Sequence, residues 1–579
     1  MQILTPPGIR DLRKYRRENL AGDVIAGVLV AALAIPQALG YSVVAGVPVQ
    51  VGLYTLPPAL LAYALFGSSR VLFVGPVSTI SVLSGSLVRQ LSGGDAAKAV
   101  ELTASITLVA GVVLLAAGLM RLGWVANFLS EPIVTGFVTG LVILIIVGEV
   151  PGLLGLDPPQ GALITRLMKI AAEIGQAHVL TALIGLAALV VIFGGSALAP
   201  RVPWSLVALV LGVVGSHVWH LGERGVRVVG SIPSGLPVPS IPIPDPSLWS
   251  DLLTGGIAVA GVGIAEGLAA ARTFSSSSKR VEDNTELVGN GLADLASALF
   301  GGIAVAGSLS KTAANSRAGA KTQLSGVVSA LMVVAVLVFA TGLLTALPKV
   351  ILSAIVVHAV WGLLRPALFK RYAFVRRDDL VAAVVAVVAV LALGPLYGLL
   401  AAIGQSLLGL IFRTMQVDID EMGRVRGEKA AWGAIANDPQ RKVVRGVCVL
   451  RPDGPLFWAN AGSVVGRIEA YVEAREDTAV LVLDLEATNQ MDTTSANQLD
   501  KLIIDLRERG ITVMLVRVFT SVREILERAG VMEQLAEDQI WHSISAAVKA
   551  AKPMVGDWFE LDEELSDDAS EVVESHPSD

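Results

Sequence analysis

Cysteine is almost missing from this chain. Cys448 is the only one in 579 residues, so no internal disulfide can staple the fold. Charge is scarce as well: Asp, Glu, Lys and Arg make up 16% of the residues, against about 25% in a soluble protein. That excludes a wholly water-dissolved fold for most of the sequence. The six histidines are scattered, and His217 and His220, although close, have no third ligand in view, so no metal site is expected. There is no nucleophile–base constellation and no phosphate-gripping glycine loop with its lysine. Enzyme chemistry and ATP-driven transport therefore lack support, and no cofactor is expected. The net charge of −6 comes largely from an acidic tail and implies no nucleic-acid partner. The first nineteen residues, "MQILTPPGIRDLRKYRREN", lack the apolar core of a cleavable signal peptide.

What the chain has instead is apolar sequence. Hydrophobic residues reach 53% and mean hydropathy is +0.67. The excess lies in residues 20–412, while from 414 onward the charge density is that of a soluble domain. A membrane-spanning helix needs about 20 apolar residues. Spans are expected at 23–45, 50–66, 98–121, 124–147, 177–198, 203–220, 251–273, 322–347, 378–393 and 395–412. Shorter or interrupted ones are expected at 75–91, 286–302, 307–319 and 349–364. The reading is thus an α-helical membrane protein of fourteen transmembrane segments followed by an α/β domain.

Basic residues set the orientation. Arg10, Arg13, Lys14, Arg16 and Arg17 precede segment 1, which places the N-terminus in the cytoplasm. Arg70, Arg121, Arg201, Lys279 and Arg280 fall in further inside loops, and "RPALFKRYAFVRR" is the densest basic loop. The outside loops are poorer, although Arg166, Lys169, Arg224 and Arg227 fall there. Fourteen crossings return the C-terminus to the cytoplasm. The Ala, Val and Gly usage suits a bacterial chain, hence an inner-membrane location.

One pattern is written twice. Segment 1 opens "DVIAGVLVAALAIPQALG" at Asp23 and segment 8 opens "DLLTGGIAVAGVGIAEGL" at Asp251, with Gly27 and Gly255 at the same spacing. Two segments later come "FVGPVSTIS" and "AVAGSLSKT", each with a glycine (Gly75, Gly307) three places before a serine (Ser78, Ser310). Seven segments per half force the copies into opposite orientations, a 7+7 inverted repeat as in secondary transporters. Glycine and proline at membrane depth start half-length helices. Their free N–H groups carry partial positive charge, and two such starts facing each other make an anion site. The hydroxyls of Ser78, Thr79, Ser308 and Ser310 add donors. The competing reading is that Gly and Ser serve helix packing.

Glu266, in "GVGIAEGLAAARTF", lies deep in segment 8. A carboxylate at that depth is costly unless paired or protonated, and burial favours its neutral form, so it could take up a proton with the anion. Sodium is the alternative coupling ion, but Ala269 and Ala270, one turn on, offer no side-chain oxygen. A structural pairing with Lys311 is the plainer alternative.

Together with "IPSGLPVPSIPIP" (232–244) and "NTELVGNGLADLASALFGGIAVAGSLSKTAANSRAGAKTQLSG", these motifs make almost the whole chain resemble the SulP family of sulfate permeases, solute carrier 26 in animals. The resemblance implies a core of segments 1–4 and 8–11 moving against a gate of segments 5–7 and 12–14, and a homodimer. It also implies that Gln37 and Tyr41 line the anion site with Ser78, Thr79, Ser308, Leu309 and Ser310. Lys311 stands where relatives carry Arg or Lys, and Glu266 matches a family acid. Snorkelling to water is the alternative role for Lys311.

After 440, short apolar strands alternate with amphipathic helices, which implies an α/β sandwich with a mainly parallel sheet. It resembles the STAS domain of sulfate transporters and anti-sigma factor antagonists. Asp492 matches that domain's acid, and Thr494 falls where antagonists carry a phosphorylated serine; helix capping is the alternative reading. The expected divisions are an N-terminal segment 1–20, a transport domain 21–413, a linker 414–439, the STAS domain 440–555 and an acidic disordered tail 556–579. The expected activity is secondary active anion transport, sulfate uptake coupled to protons. Bicarbonate or C4-dicarboxylate transport, proton- or sodium-coupled, and a non-transporting STAS scaffold are the alternatives. Membrane lipid is the other expected partner.

Overall fold

The computed structural model describes residues 6–13, 15–124, 130–159, 161–200, 202–275, 282–425, 428 and 431–555. Lys14, Arg201, Lys279, Arg280 and the acidic tail lie outside the described residues. The chain divides into two compact units, one up to Leu407 and one from Leu408.

The first unit is helical. Each of the fourteen expected segments falls on a helix, in order Leu20–Ala45, Gln50–Phe66, Ser78–Ser92, Ala96–Leu119, Glu131–Leu154, Val179–Leu198, Trp204–Trp219, Trp249–Thr273, Asp283–Leu299, Leu309–Arg317, Leu324–Phe339, Lys349–Trp361, Arg377–Leu393 and Pro395–Met415. Among the described residues, seven helices are long and apolar enough to cross a bilayer. Between the expected segments, among the described residues, two helices were not foreseen, Leu163–Glu173 and Pro366–Val375. Both are short and mix cations with apolar residues, so neither stands out as an apolar run.

Local chemistry accounts for several boundaries. Asp95 caps Ala96–Leu119, its Oδ1 accepting from the N–H groups of Ala97 (2.8 Å) and Lys98 (3.2 Å). Leu20–Ala45 stops at Gly46, whose φ of 76° is the left-handed region glycine enters freely. Within that helix Pro36 has no N–H to donate, which leaves the Ala32 carbonyl without its usual partner.

The matched glycines of the two halves are close helix contacts. A Cβ on Gly27 would lie 2.6 Å from the carbonyl oxygen of Ser325, and one on Gly255 would lie 2.4 Å from Leu87 Cδ2. The matched aspartates differ. Asp23 is fully buried, its Oδ1 accepting from Lys321 N–H (2.7 Å) and Thr322 N–H (3.0 Å) and its Oδ2 from the Thr322 hydroxyl (2.6 Å). Asp251 is exposed.

The second unit holds a six-stranded sheet ordered β4-β3-β5-β6-β7-β8: β3 Ile419–Arg424, β4 Trp432–Ala434, β5 Val447–Pro452, β6 Val480–Asp484, β7 Thr512–Val516 and β8 Ile540–Trp541. Strands β5 to β8 are parallel, while β3 runs antiparallel to both its neighbours. Successive strand residues face opposite ways. Cys448, Leu450, Leu481 and Leu483 pack with Ala461–Glu473, Thr493–Glu508 and Thr520–Arg528. Val447, Val449, Val480 and Val482 pack with Ile544–Ala550 on the other face. Both faces are covered, so the strands read as continuous apolar runs. Burial pushes the Cys448 thiol up to about 11, so it stays protonated.

Candidate anion site

The two repeated motifs meet. Strand β1 (Val74–Pro76) pairs antiparallel with β2 (Val305–Gly307), matching Val74 with Gly307 and Gly75 with Ala306. Gly75 and Gly307 are 232 positions apart, and a shift of 232 carries the first of these pairs onto the second. That register is the one a local two-fold relation between the motifs requires. Glycine is needed for the close approach: a Cβ on Gly307 would lie 2.9 Å from Leu72 Cδ2 and 3.3 Å from Gly267 Cα.

Each strand leads directly into a helix. Ser78–Ser92 starts after the extended residue Val77, and no side chain caps it. Ser81 N–H reaches Val77 O at 3.0 Å, so the amides of Ser78, Thr79 and Ile80 have no partner within the helix. Leu309–Arg317 starts after Ser308, whose hydroxyl accepts from Lys311 N–H only at 3.4 Å. The positive ends of two helix dipoles are thus set beside one another.

The symmetry is broken at one place with a consequence. Ser308 N–H donates to Phe73 O at 3.0 Å. Its counterpart under the shift is Pro76, which has no N–H. Instead Pro76 O accepts from Lys311 Nζ at 3.0 Å. Lys311 is buried, with its ammonium 5.4 Å from the centre of the Tyr41 ring, a cation–π contact. It comes from one helix start and grips the carbonyl just before the other.

Thr79 hydroxyl donates to Glu266 Oε2 at 2.7 Å. Glu266 is only half-buried, and no described residue forms an ion pair with it or with Lys311. Ser78, Thr79, Ser308 and Tyr41 are buried, whereas Gln37 and Glu266 are partly accessible and Leu309 and Ser310 are exposed. Ser308 and Ser310 hydroxyls lie 3.4 Å apart. Gln37 Oε1 is buried without a hydrogen-bond partner. Thr79 is thus bonded to Glu266, and Lys311 to Pro76 O and the Tyr41 ring, while among the described residues no side-chain hydrogen bond joins Gln37 or Leu309 to any of them.

Sequence reasoning missed what holds the first motif in place. Side chains from 286–323 grip the stretch 68–73. Glu286, fully buried, accepts from Tyr63 hydroxyl (2.5 Å), Ser68 hydroxyl (2.6 Å) and Ser68 N–H (3.2 Å). Asn315 Nδ2 donates to Val71 O (2.9 Å), and Gln323 Nε2 donates to Ser69 O (2.8 Å) and Leu72 O (2.9 Å). Thr312 Oγ1 accepts from Phe73 N–H at 3.0 Å. The available signal was the density of polar residues in a membrane segment.

In the second unit Asp492 is the N-cap of Thr493–Glu508. Its Oδ1 accepts from Ser495 N–H and hydroxyl, both at 2.8 Å, and its Oδ2 accepts from Trp458 N–H at 2.7 Å. Burial opposes ionisation, but these bonds hold the carboxyl below the usual range. Thr494 is exposed in the first turn.

Known proteins share both the sequence and the architecture. The chain is 34% identical over 549 residues to a probable sulfate transporter of Mycobacterium tuberculosis, covering 94% of this chain and 97% of that one. The structure of the murine Solute Carrier 26 family member A9 anion transporter superposes with a TM-score of 0.86 at 22% identity, covering 94% of each chain. The transmembrane domain of the cyanobacterial bicarbonate transporter BicA matches with a TM-score of 0.60 at 25% identity, over 66% of this chain and 98% of that one. A model of the STAS domain matches residues 438–547, and that of the sulfate permease family matches residues 20–388. The chain belongs to the sulfate permease family of multi-pass membrane anion transporters and carries a C-terminal STAS domain.

Proposed function

We propose that this protein is a proton-coupled sulfate importer that binds its anion between the helix starts at Ser78 and Leu309. The observation that carries the reading is the Thr79–Glu266 hydrogen bond: it joins a helix start that offers free amides to the one acid that can carry a proton there. Substrate contacts are assigned to Gln37, Tyr41, Ser78, Thr79, Ser308, Leu309, Ser310 and Lys311, and proton uptake to Glu266. Protonation removes the glutamate's charge and lowers the cost of an anion nearby, so proton and anion favour each other. Lys311 is held on Pro76 O and not on Glu266, so it does not stabilise the ionised carboxylate by direct pairing. Sulfate is favoured by the name of the mycobacterial relative.

The same reading takes the fourteen segments as crossings, arranged as a 7+7 inverted repeat with core and gate. Both termini are cytoplasmic, the location is a bacterial inner membrane, and the protein works as a homodimer. The divisions are residues 1–20, 21–413, 414–439, 440–555 and 556–579. The exposed Thr494 is a position where a phosphate would sit at a helix start. The likeness to BicA favours bicarbonate as the second substrate reading.

The test is uptake into proteoliposomes. Labelled sulfate is competed with bicarbonate and with a C4-dicarboxylate at two pH values, with and without sodium. Sulfate uptake driven by acid outside and indifferent to sodium supports the reading. Uptake dominated by another anion, or none, contradicts it.

A further inference from the structure

The basic loop that set the orientation contains a helix, Pro366–Val375, held by its buried side. Tyr372 is buried, and its hydroxyl lies 3.2 Å from Thr135 Oγ1 on Glu131–Leu154. The other side is open. Phe374 is 92% exposed and Val375 68%. Lys370 is one turn from Phe374 and Arg371 one turn from Val375, so each apolar residue shares its face with a cation. Arg365, Arg376 and Arg377 flank the helix and are also exposed. Five cations stand against two acids, Asp378 and Asp379, leaving +3. Of the cations, Arg376 is bonded to Asp378 at 3.2 Å. Among the described residues, none forms an ion pair with Lys370 or Arg371.

The first half has a helix at the corresponding place. Leu163–Glu173 follows Glu131–Leu154 as Pro366–Val375 follows Lys349–Trp361. It too exposes apolar residues, Ile164 at 71% and Met168 at 68%. Its charge is different: Arg166 and Lys169 against Glu173 leave +1, and Arg166 Nε is bonded to Gly161 O at 2.8 Å. Two helices alike in exposed apolar side chains therefore differ in surplus positive charge. Apolar exposure alone fits any bilayer. Surplus charge beside it fits a bilayer surface rich in negative headgroups.

We propose that Pro366–Val375 and its flanking arginines are a binding surface for anionic phospholipid. Phe374 and Val375 enter the acyl boundary, while Lys370 and Arg371 reach headgroup phosphates. The helices that continue on either side, Lys349–Trp361 and Arg377–Leu393, belong to the membrane region, so the surface lies where lipid is already the neighbour.

The experiment uses the full chain in nanodiscs of mixed phosphatidylcholine and phosphatidylglycerol. The lipid that stays bound after release in mild detergent is measured by native mass spectrometry. Wild type is expected to retain phosphatidylglycerol over phosphatidylcholine. Each basic residue near an anionic surface contributes roughly fivefold in binding, so Lys370→Gln/Arg371→Gln should cut the enrichment by about 25-fold. The charge-preserving Lys370→Arg/Arg371→Lys should keep it, which separates lost charge from lost folding. Arg166→Gln/Lys169→Gln should also keep it. No enrichment in wild type, equal loss in both glutamine pairs, or displacement of the lipid by inorganic phosphate would overturn the proposal.

Discussion

Thr79 donates its hydroxyl to Glu266 Oε2 at 2.7 Å, across 187 positions of sequence. A residue in the first turn of one half-helix thus carries a direct bond to the only deep carboxylate of the opening helix of the other half. A hydrogen bond to a charged group contributes roughly 1.5–3 kcal/mol. Thr79→Val keeps the shape and removes the donor, so kcat/KM for uptake should fall at least about tenfold. Thr79→Ser, which keeps the hydroxyl, should stay within about threefold. Equal uptake by the valine variant and wild type would break the link between these two residues and transport.

The clamp on the first motif predicts a different kind of effect. The Thr312 hydroxyl accepts from Phe73 N–H at 3.0 Å, ahead of the helix start and not at Glu266. Thr312→Val leaves that buried amide without an acceptor, at a cost of roughly 1–3 kcal/mol. The displaced half-helix should raise KM for the anion more than it lowers kcat. Thr312→Ser should restore both. A valine variant with wild-type KM, measured by initial uptake rates over a range of anion concentrations, would show that the clamp is structural only.

Ser310 is exposed at the start of Leu309–Arg317, so a larger side chain there fills accessible space and not the core. Ser310→Trp should abolish anion binding and leave the thermal unfolding profile of the purified protein near wild type. Wild-type uptake by this variant would place the anion elsewhere.

Asp492 gives a pH-dependent prediction in the second unit. Loss of a helix N-cap costs about 1 kcal/mol, so amides of Thr493–Glu508 should exchange about fivefold faster in Asp492→Ala at neutral pH. The folded carboxyl is held below its unfolded value near 3.9. Its contribution is therefore fully present above about pH 4 and is lost as pH falls through the folded value. The exchange difference between wild type and Asp492→Ala should shrink in that acid window and stay flat from pH 5 to 8. A difference that grows on acidification would contradict the assignment.

Much of this was legible in the chain because membrane burial leaves a coarse signature. Apolar runs marked the fourteen helical segments, ten as spans and four as shorter or interrupted stretches, and alternating strand and helix patterns marked the C-terminal unit. The paired Gly-x-x-Ser breaks pointed to the motifs that meet as β1 and β2. Other features were hidden for physical reasons. Leu163–Glu173 and Pro366–Val375 lack the sustained hydrophobicity of a span, so charge made them look like loops. The strand pairing of Gly75 with Ala306, and the grip of Lys311 on Pro76 O, depend on contacts more than 200 positions apart. A backbone carbonyl has no residue type to betray it. Asp23 and Asp251 matched in sequence yet sit in different surroundings, because only Asp23 finds the turn at Lys321 and Thr322.

Proton coupling through Glu266 is the central claim, and one measurement tests it most directly. Sulfate uptake into proteoliposomes is recorded with the outside more acidic than the inside, and again at equal pH with a sodium gradient, for wild type and Glu266→Gln. The account predicts that wild type accumulates sulfate on the pH gradient alone. It predicts that Glu266→Gln, which resembles the protonated form, loses that dependence while still exchanging sulfate at a rate indifferent to pH. Sodium-driven uptake at equal pH, or a Glu266→Gln protein that keeps its proton dependence, would contradict it.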